Sequence, residues 1–239
     1  MAGKAHLRLI AESAAASHDS GSEKNLNGQR LGRKGKVTRA KILAAAAEVL
    51  SREDDEPVSL SAVARQASLG MTSIYLYFND FTELVLALLE PLMAEAGAMF
   101  EVALKDRWSD DRLGECCREF LDTYFEFWNT HSKLLLLRNM MSDSGDERMV
   151  RHRIGTGGPF VAMFVQQMDG DPTDIRSRTV QMATSLVTGI ERSATMATNK
   201  RLRRLFGQEF NFGLDHYIEP AARLMELAIR DMRQFNAAR

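Results

Sequence analysis

The chain has 239 residues, 45% of them apolar, which is enough for one large domain or two smaller ones with a real core. A formal net charge of −1 excludes a protein that binds polyanions over its whole surface, although the charge is unevenly placed along the chain. The two cysteines, Cys116 and Cys117, are adjacent in an apolar pattern, which excludes a disulfide framework or a zinc-ligand spacing and suits a reducing cytoplasm.

Residues 1–36 are rich in Ala, Ser, Gly, Asn and charge and offer few large apolar side chains to bury. They read as a flexible basic arm, within which 7–16 allow a short helix. Lys4, His6, Arg8 and Glu12 interrupt the first residues, so these do not read as a secretory signal. The arm ends in a one-signed run: Arg30, Arg33, Lys34, Lys36, Arg39 and Lys41. Two readings stay open for it, a solvated tail that favours solubility and an arm that lies along DNA phosphates or enters a minor groove.

A first helix is predicted over 38–51, with Ile42, Leu43, Ala46, Val49 and Leu50 facing inward. The charged connection 52–57 ends in Pro57, which fits a loop better than a helix interior. Ser59 can then cap a second helix, whose apolar face is Leu60, Val63, Ala64 and Ala67. Ser68-Leu69-Gly70 breaks that helix, and glycine there tolerates backbone angles that other residues resist. A third helix restarts at Met71. Ile74 and Phe78 point inward on it and leave Met71, Thr72, Ser73, Tyr75 and Tyr77 on an outer face. Two helices joined by so short a turn form the helix-turn-helix unit, whose second helix enters a DNA major groove.

The run A-S-L-G-M-T-S-I-Y-L-Y-F-N-D-F-T-E-L resembles the signature of the tetracycline-repressor (TetR) family of bacterial transcription regulators. Ala67, Leu69, Ser73, Ile74, Tyr75, Tyr77, Phe78 and Leu84 match the family pattern. Gly70 stands where the family usually has a serine cap, and Phe81 where it usually has a phosphate-touching lysine. The resemblance implies DNA contacts from the outer face of the third helix and from Ser61, a position that matches a family contact. The expected DNA-binding residues are Arg33, Lys34, Lys36, Arg39, Ser59, Ser61, Gly70, Met71, Thr72, Ser73, Tyr75 and Tyr77. None of them is an arginine placed to fork a guanine, so the operator sequence is not readable.

Asn79-Asp80, with Glu83, can cap a fourth helix over 81–105, and Pro91 is expected to kink it. Its most apolar part, 84–100, contains Glu90, Pro91 and Glu95, too short and too charged a run to span a bilayer. From 110 onward the pattern gives only helices. They cover 110–130, 131–141, 147–168 with a break around 155–159, 174–198 and 214–235. The helix over 174–198 is expected to place Ile175, Met182, Leu186, Ile190 and Ala197 on one side. A basic connector with Lys200, Arg201, Arg203 and Arg204 precedes the last helix, whose apolar residues cover more than one face.

Gly155-Thr156-Gly157-Gly158 follows no strand and lacks the Lys-Ser/Thr end of a phosphate loop. His131, His152 and His216 are too scattered for a metal site, and no nucleophile-base arrangement is visible. No cofactor is expected, and a helical enzyme is a distant alternative. The family usually encloses a small-molecule site, so the resemblance implies a ligand-binding set: Tyr124, Trp128, Arg138, Met141, Met163, Phe164, Thr184 and Thr188. The expected fold is all-α. A basic arm (1–36) precedes a helix-turn-helix DNA-binding domain (37–81) and a larger helical effector-binding and dimerisation domain (82–239). The expected function is a DNA-binding regulator, acting as a homodimer. It represses from a near-palindromic operator, is released by a small apolar or amphipathic effector, and works in the cytoplasm at the nucleoid, not at a membrane. The alternative is an architectural or ligand-independent DNA-binding regulator.

Overall fold

The computed structural model describes residues 2–16, 31–52, 57–207 and 212–238. Arg30 and the acidic residues 53–56 of the predicted connection lie outside them. The described residues form ten helices and no strand: α1 (Ala2–Ala16), α2 (Arg33–Ser51), α3 (Leu60–Ala67), α4 (Met71–Tyr75), α5 (Phe81–Leu104), α6 (Leu113–Asp143), α7 (Glu147–Gln167), α8 (Arg178–Thr198), α9 (Lys200–Phe206) and α10 (Asp215–Ala237). None of these helices is long and apolar enough to cross a membrane. The chain divides into two compact units, Met1–Glu95 with Lys133–His152 and Ala96–Ser132 with Arg153–Arg239. The expected boundary lies at 81/82; the first compact unit also takes in 82–95 and 133–152.

In the first unit, the expected core is present: Ile42, Ala46, Leu50, Leu60, Val63, Ala67, Ile74 and Phe78 are all buried. Each large apolar side chain removed from water in this way stabilises the fold by about 1.5–3 kcal/mol. The start of the chain departs from the expected arm. Leu7, Ile10, Ala11 and Ala14 recur at helical spacing and are buried, and α1 packs against α2. α2 begins at Arg33, five residues before the predicted start, so its first turns carry Arg33, Lys34 and Lys36. At its other end, Lys133 Nζ donates to the carbonyls of Val49 and Arg52 at 3.4 and 3.2 Å. A cation there complements the last carbonyls and the negative end of the helix.

In the second unit, a chain of aromatic rings fills the centre. Tyr124 stacks on Phe160 at 5.7 Å, Phe160 meets Phe164 edge-on at 5.2 Å, and Phe100 touches Phe120, Tyr124, Phe127 and Phe160. Buried Gln167 accepts from the Trp108 N–H at 3.0 Å and donates to the carbonyls of Leu104 and Asp106. Buried Arg233 donates to the Gln167 carbonyl at 2.7 Å and to the Asp110 carboxylate. Burial pushes the Cys117 thiol up to about 12, so it remains protonated and inert at neutral pH.

Other differences have local causes. α6 runs from Leu113 to Asp143 with a kink at the predicted 130/131 junction, where His131 has non-helical angles (φ −111°, ψ 17°). α7 runs through Gly155, Gly157, Gly158 and Pro159 where a break was predicted, with Phe160, Phe164 and Val165 buried beyond them. α8 starts at Arg178, capped by Ser177, whose hydroxyl accepts from Val180 N–H at 3.2 Å. Ile175 therefore precedes the helix and is 76% exposed. The inward side of α8 is Ala183, Val187, Ile190, Ala194 and Ala197, and it packs on α10. The basic connector contains the short helix α9, because the Asn199 side chain accepts from the Arg201 and Leu202 N–H groups.

Candidate nucleic-acid interface

The geometry around α4 starts with the caps of α3. Ser59 Oγ accepts from the Ala62 N–H at 3.2 Å and lies 3.0 Å from Ser61 Oγ. Ser59 therefore serves as an N-cap, and the exposed hydroxyl on this helix is that of Ser61. Arg65, one turn further along, is exposed on the same face and lies outside the family motif.

The turn between the two helices closes in an unexpected place. Ser68, not Gly70, takes the left-handed conformation (φ 51°, ψ 47°). The Ser68 N–H donates to Arg65 O and the Leu69 N–H to Ala64 O, the paired bonds that end a helix at a left-handed residue. Gly70 is extended (φ −73°, ψ 154°), and a Cβ there would meet nothing within 4 Å. The glycine is therefore not demanded by the backbone.

α4 is anchored from below by Ile74 and Phe78, both fully buried. Thr72 and Tyr75 are exposed on its outer side, and Met71, Ser73 and Tyr77 are half-buried at its edges. Leu76, also exposed, extends this face and was not among the expected contacts. Arg33, Lys34 and Lys36 are exposed on the first turns of α2. Arg39 differs from them. Its guanidinium lies 5.1 Å over the Phe78 ring and donates to the Ala14 carbonyl at 3.5 Å. Burial lowers its pKa from the ordinary arginine value, against the pull of Glu83 and Glu90. Arg39 is thus turned inward, where it joins α1 to Phe78, just beyond α4.

The expected ligand-binding residues are distributed over both units. Tyr124, Trp128 and Phe164 are buried in the second unit, and Met163, next to Phe164 in sequence, is half-buried. Arg138 and Met141 belong to the first unit, where Arg138 Nε donates to Asn139 Oδ1 at 3.2 Å and Nη1 meets Met93 Sδ at 3.5 Å. Thr184 and Thr188 are exposed on α8, their hydroxyls donating to carbonyls of their own helix at 2.8 Å. Their helical position places them outward, a distinction that the residue types alone did not carry. Among the described residues, no group of three or more His, Cys, Asp or Glu side chains is placed to hold a metal.

A trihelical unit whose short third helix, α4, faces solvent and is backed by buried Ile74 and Phe78 defines a helix-turn-helix DNA-binding domain followed by further helices. Residues 42–88 match the family described as bacterial regulatory proteins, tetR family, and the chain carries the DNA-binding domain of that family. An uncharacterized HTH-type transcriptional regulator of Haemophilus influenzae is 32% identical over 120 residues, which cover 49% of this chain and 57% of the relative. The chain thus spans little more than half the length of that relative. No solved structure gives a significant match.

Proposed function

We propose that the protein is a transcriptional regulator that binds a near-palindromic operator as a homodimer and is released by a small apolar or amphipathic effector, most simply as a repressor. The observation that carries the DNA-binding part is the outer face of α4, with Thr72 and Tyr75 exposed over an anchor of Ile74 and Phe78. Arg33, Lys34 and Lys36 supply sequence-independent attraction to phosphates, while Thr72, Ser73, Met71 and the tyrosines meet backbone and base edges. Dimerisation is supported by α8 and α10. These pack together and still expose Thr184, Thr188, Leu224 and Leu227, with Leu224 62% exposed. A two-fold dimer presents two reading heads to half-sites about 34 Å apart, or a multiple of that.

The test is selection of duplexes from a random pool, followed by affinity measurements across a salt series. A selected inverted repeat is expected, with a log–log salt slope of about −0.9 for each neutralised phosphate. A chain that enriches no sequence and binds no duplex overturns the proposal. A ligand-independent regulator is the second reading, favoured by the mutual packing of Tyr124, Phe160 and Phe164. Mass spectrometry of whatever co-purifies, with DNA affinity before and after its removal, separates the two.

A further inference from the structure

The start of α5 and the turn between α6 and α7 hold each other through their caps. Asp80, the residue before α5, accepts from the Glu83 N–H at 2.9 Å with one oxygen and from Arg148 Nη2 at 2.7 Å with the other. Asp146, the residue before α7, accepts from the Met149 N–H at 3.0 Å with one oxygen and from the Thr82 hydroxyl at 2.5 Å with the other. The arrangement is reciprocal. Each aspartate closes its own helix, and its second oxygen takes the second residue of the opposite helix. Glu83 reaches back to Asn79, accepting from its N–H and its side-chain amide at 2.7 and 2.8 Å. Gly145, at φ 89°, ends α6, with Asp146 N–H donating to Met141 O at 3.1 Å, and so delivers Asp146 to its place.

Capping alone does not require the crossed bonds. The two N–H groups are satisfied by the aspartates without Thr82 or Arg148. What the crossed bonds add is a fixed exit for the chain two residues after Phe78. α4 has only five residues, with Ile74 buried in it and Phe78 buried just beyond it, so the path of 79–82 bears directly on its pose. We propose that Thr82 and Arg148 are positioning residues for DNA recognition. They hold α4 in one pose relative to its own domain. This rests on the reading that α4 faces DNA.

The test uses the full chain, the duplex it selects from a random pool, and an unselected duplex of equal length. Thr82→Val and Arg148→Met each delete one crossed bond and leave both aspartate caps. Each is expected to weaken binding of the selected duplex by about fivefold, the scale of one hydrogen bond, with unselected binding unchanged. The double variant is expected to lose less than the product of the two losses, because either deletion frees the same exit. Thr82→Ser, which keeps the hydroxyl, is expected to restore the ratio. Arg148 is on the surface, so its variant remains folded even if buried Thr82→Val does not. If Arg148→Met, folded at the assay temperature by circular dichroism, keeps the parent's ratio of selected to unselected affinity, the lock serves only stability and the proposal is overturned. A parent that binds duplexes without selecting any sequence overturns the DNA-reading role of α4 itself, and the positioning role with it.

Discussion

Individual side chains carry the DNA-binding proposal, and single substitutions test it. Tyr75 is 44% exposed and Tyr77 is half-buried beside it, so both keep a rim of surface next to the exposed Thr72. Tyr75→Phe and Tyr77→Phe are each expected to cost about 1 kcal/mol of affinity, equally on selected and unselected duplexes, because a phosphate contact carries no sequence information. Fluorescence anisotropy on both duplexes measures this, and unchanged affinities remove the tyrosines from the interface. Glycine behaves differently at two positions. At Gly170 a Cβ would sit 2.6 Å from Thr179 Cγ2 and 3.0 Å from Val165 Cγ1, so Gly170→Ala is expected to destabilise by about 1–3 kcal/mol. Gly70→Ser meets open space and gains a capping hydroxyl, so thermal unfolding should show no loss and a gain of a few tenths of a kcal/mol.

Among the helices, α7 is the one whose sequence argues most strongly against its own conformation. Gly155, Gly157, Gly158 and Pro159 all lie inside it, and a Cβ added at any of the three glycines would meet nothing within 4 Å. Their replacement by alanine is expected to stabilise the chain by about 2–3 kcal/mol in total, since each glycine costs a helix about 0.8–1 kcal/mol. A denaturant midpoint that does not rise would show that the segment is not helical in solution. The helix starts give a second prediction. Hydrogen bonding by the Thr82 hydroxyl holds the Asp146 carboxyl below the ordinary carboxylate range. Asp80 is also lowered: burial pushes it up, but the Glu83 N–H and Arg148 together outweigh this. With folded-state values below the unfolded ones, the stabilisation is complete above the unfolded carboxylate value of about pH 4. It is lost as pH falls through the lowered values. Acid titration of stability should therefore be less steep in Thr82→Val with Arg148→Met than in the parent.

For the whole molecule, the open question is assembly. Leu224→Asp places a charge on the exposed side of α10, away from buried Ile218, Ala221, Met225 and Ile229, so the fold should survive. Light scattering is expected to show monomers, with operator affinity reduced because two linked heads bind more tightly than one. A folded variant that stays dimeric moves the interface elsewhere. The sequence by itself determined the all-α class, the helix-turn-helix and the core from Ile42 to Phe78. Those features are written in local periodicity and caps, which need no distant partner. It also placed the Asn79–Asp80 cap and the helix junction near His131, where α6 is kinked. Only the tertiary structure decided that α1 folds onto α2, that Arg39 turns inward to Phe78, and that Thr184 and Thr188 face outward. Only there does α7 continue through its glycines, and only there do Asp80 and Asp146 exchange partners between segments far apart in the chain. Each of those outcomes depends on which surfaces meet in space, and packing overrides a propensity worth only about 1 kcal/mol per residue.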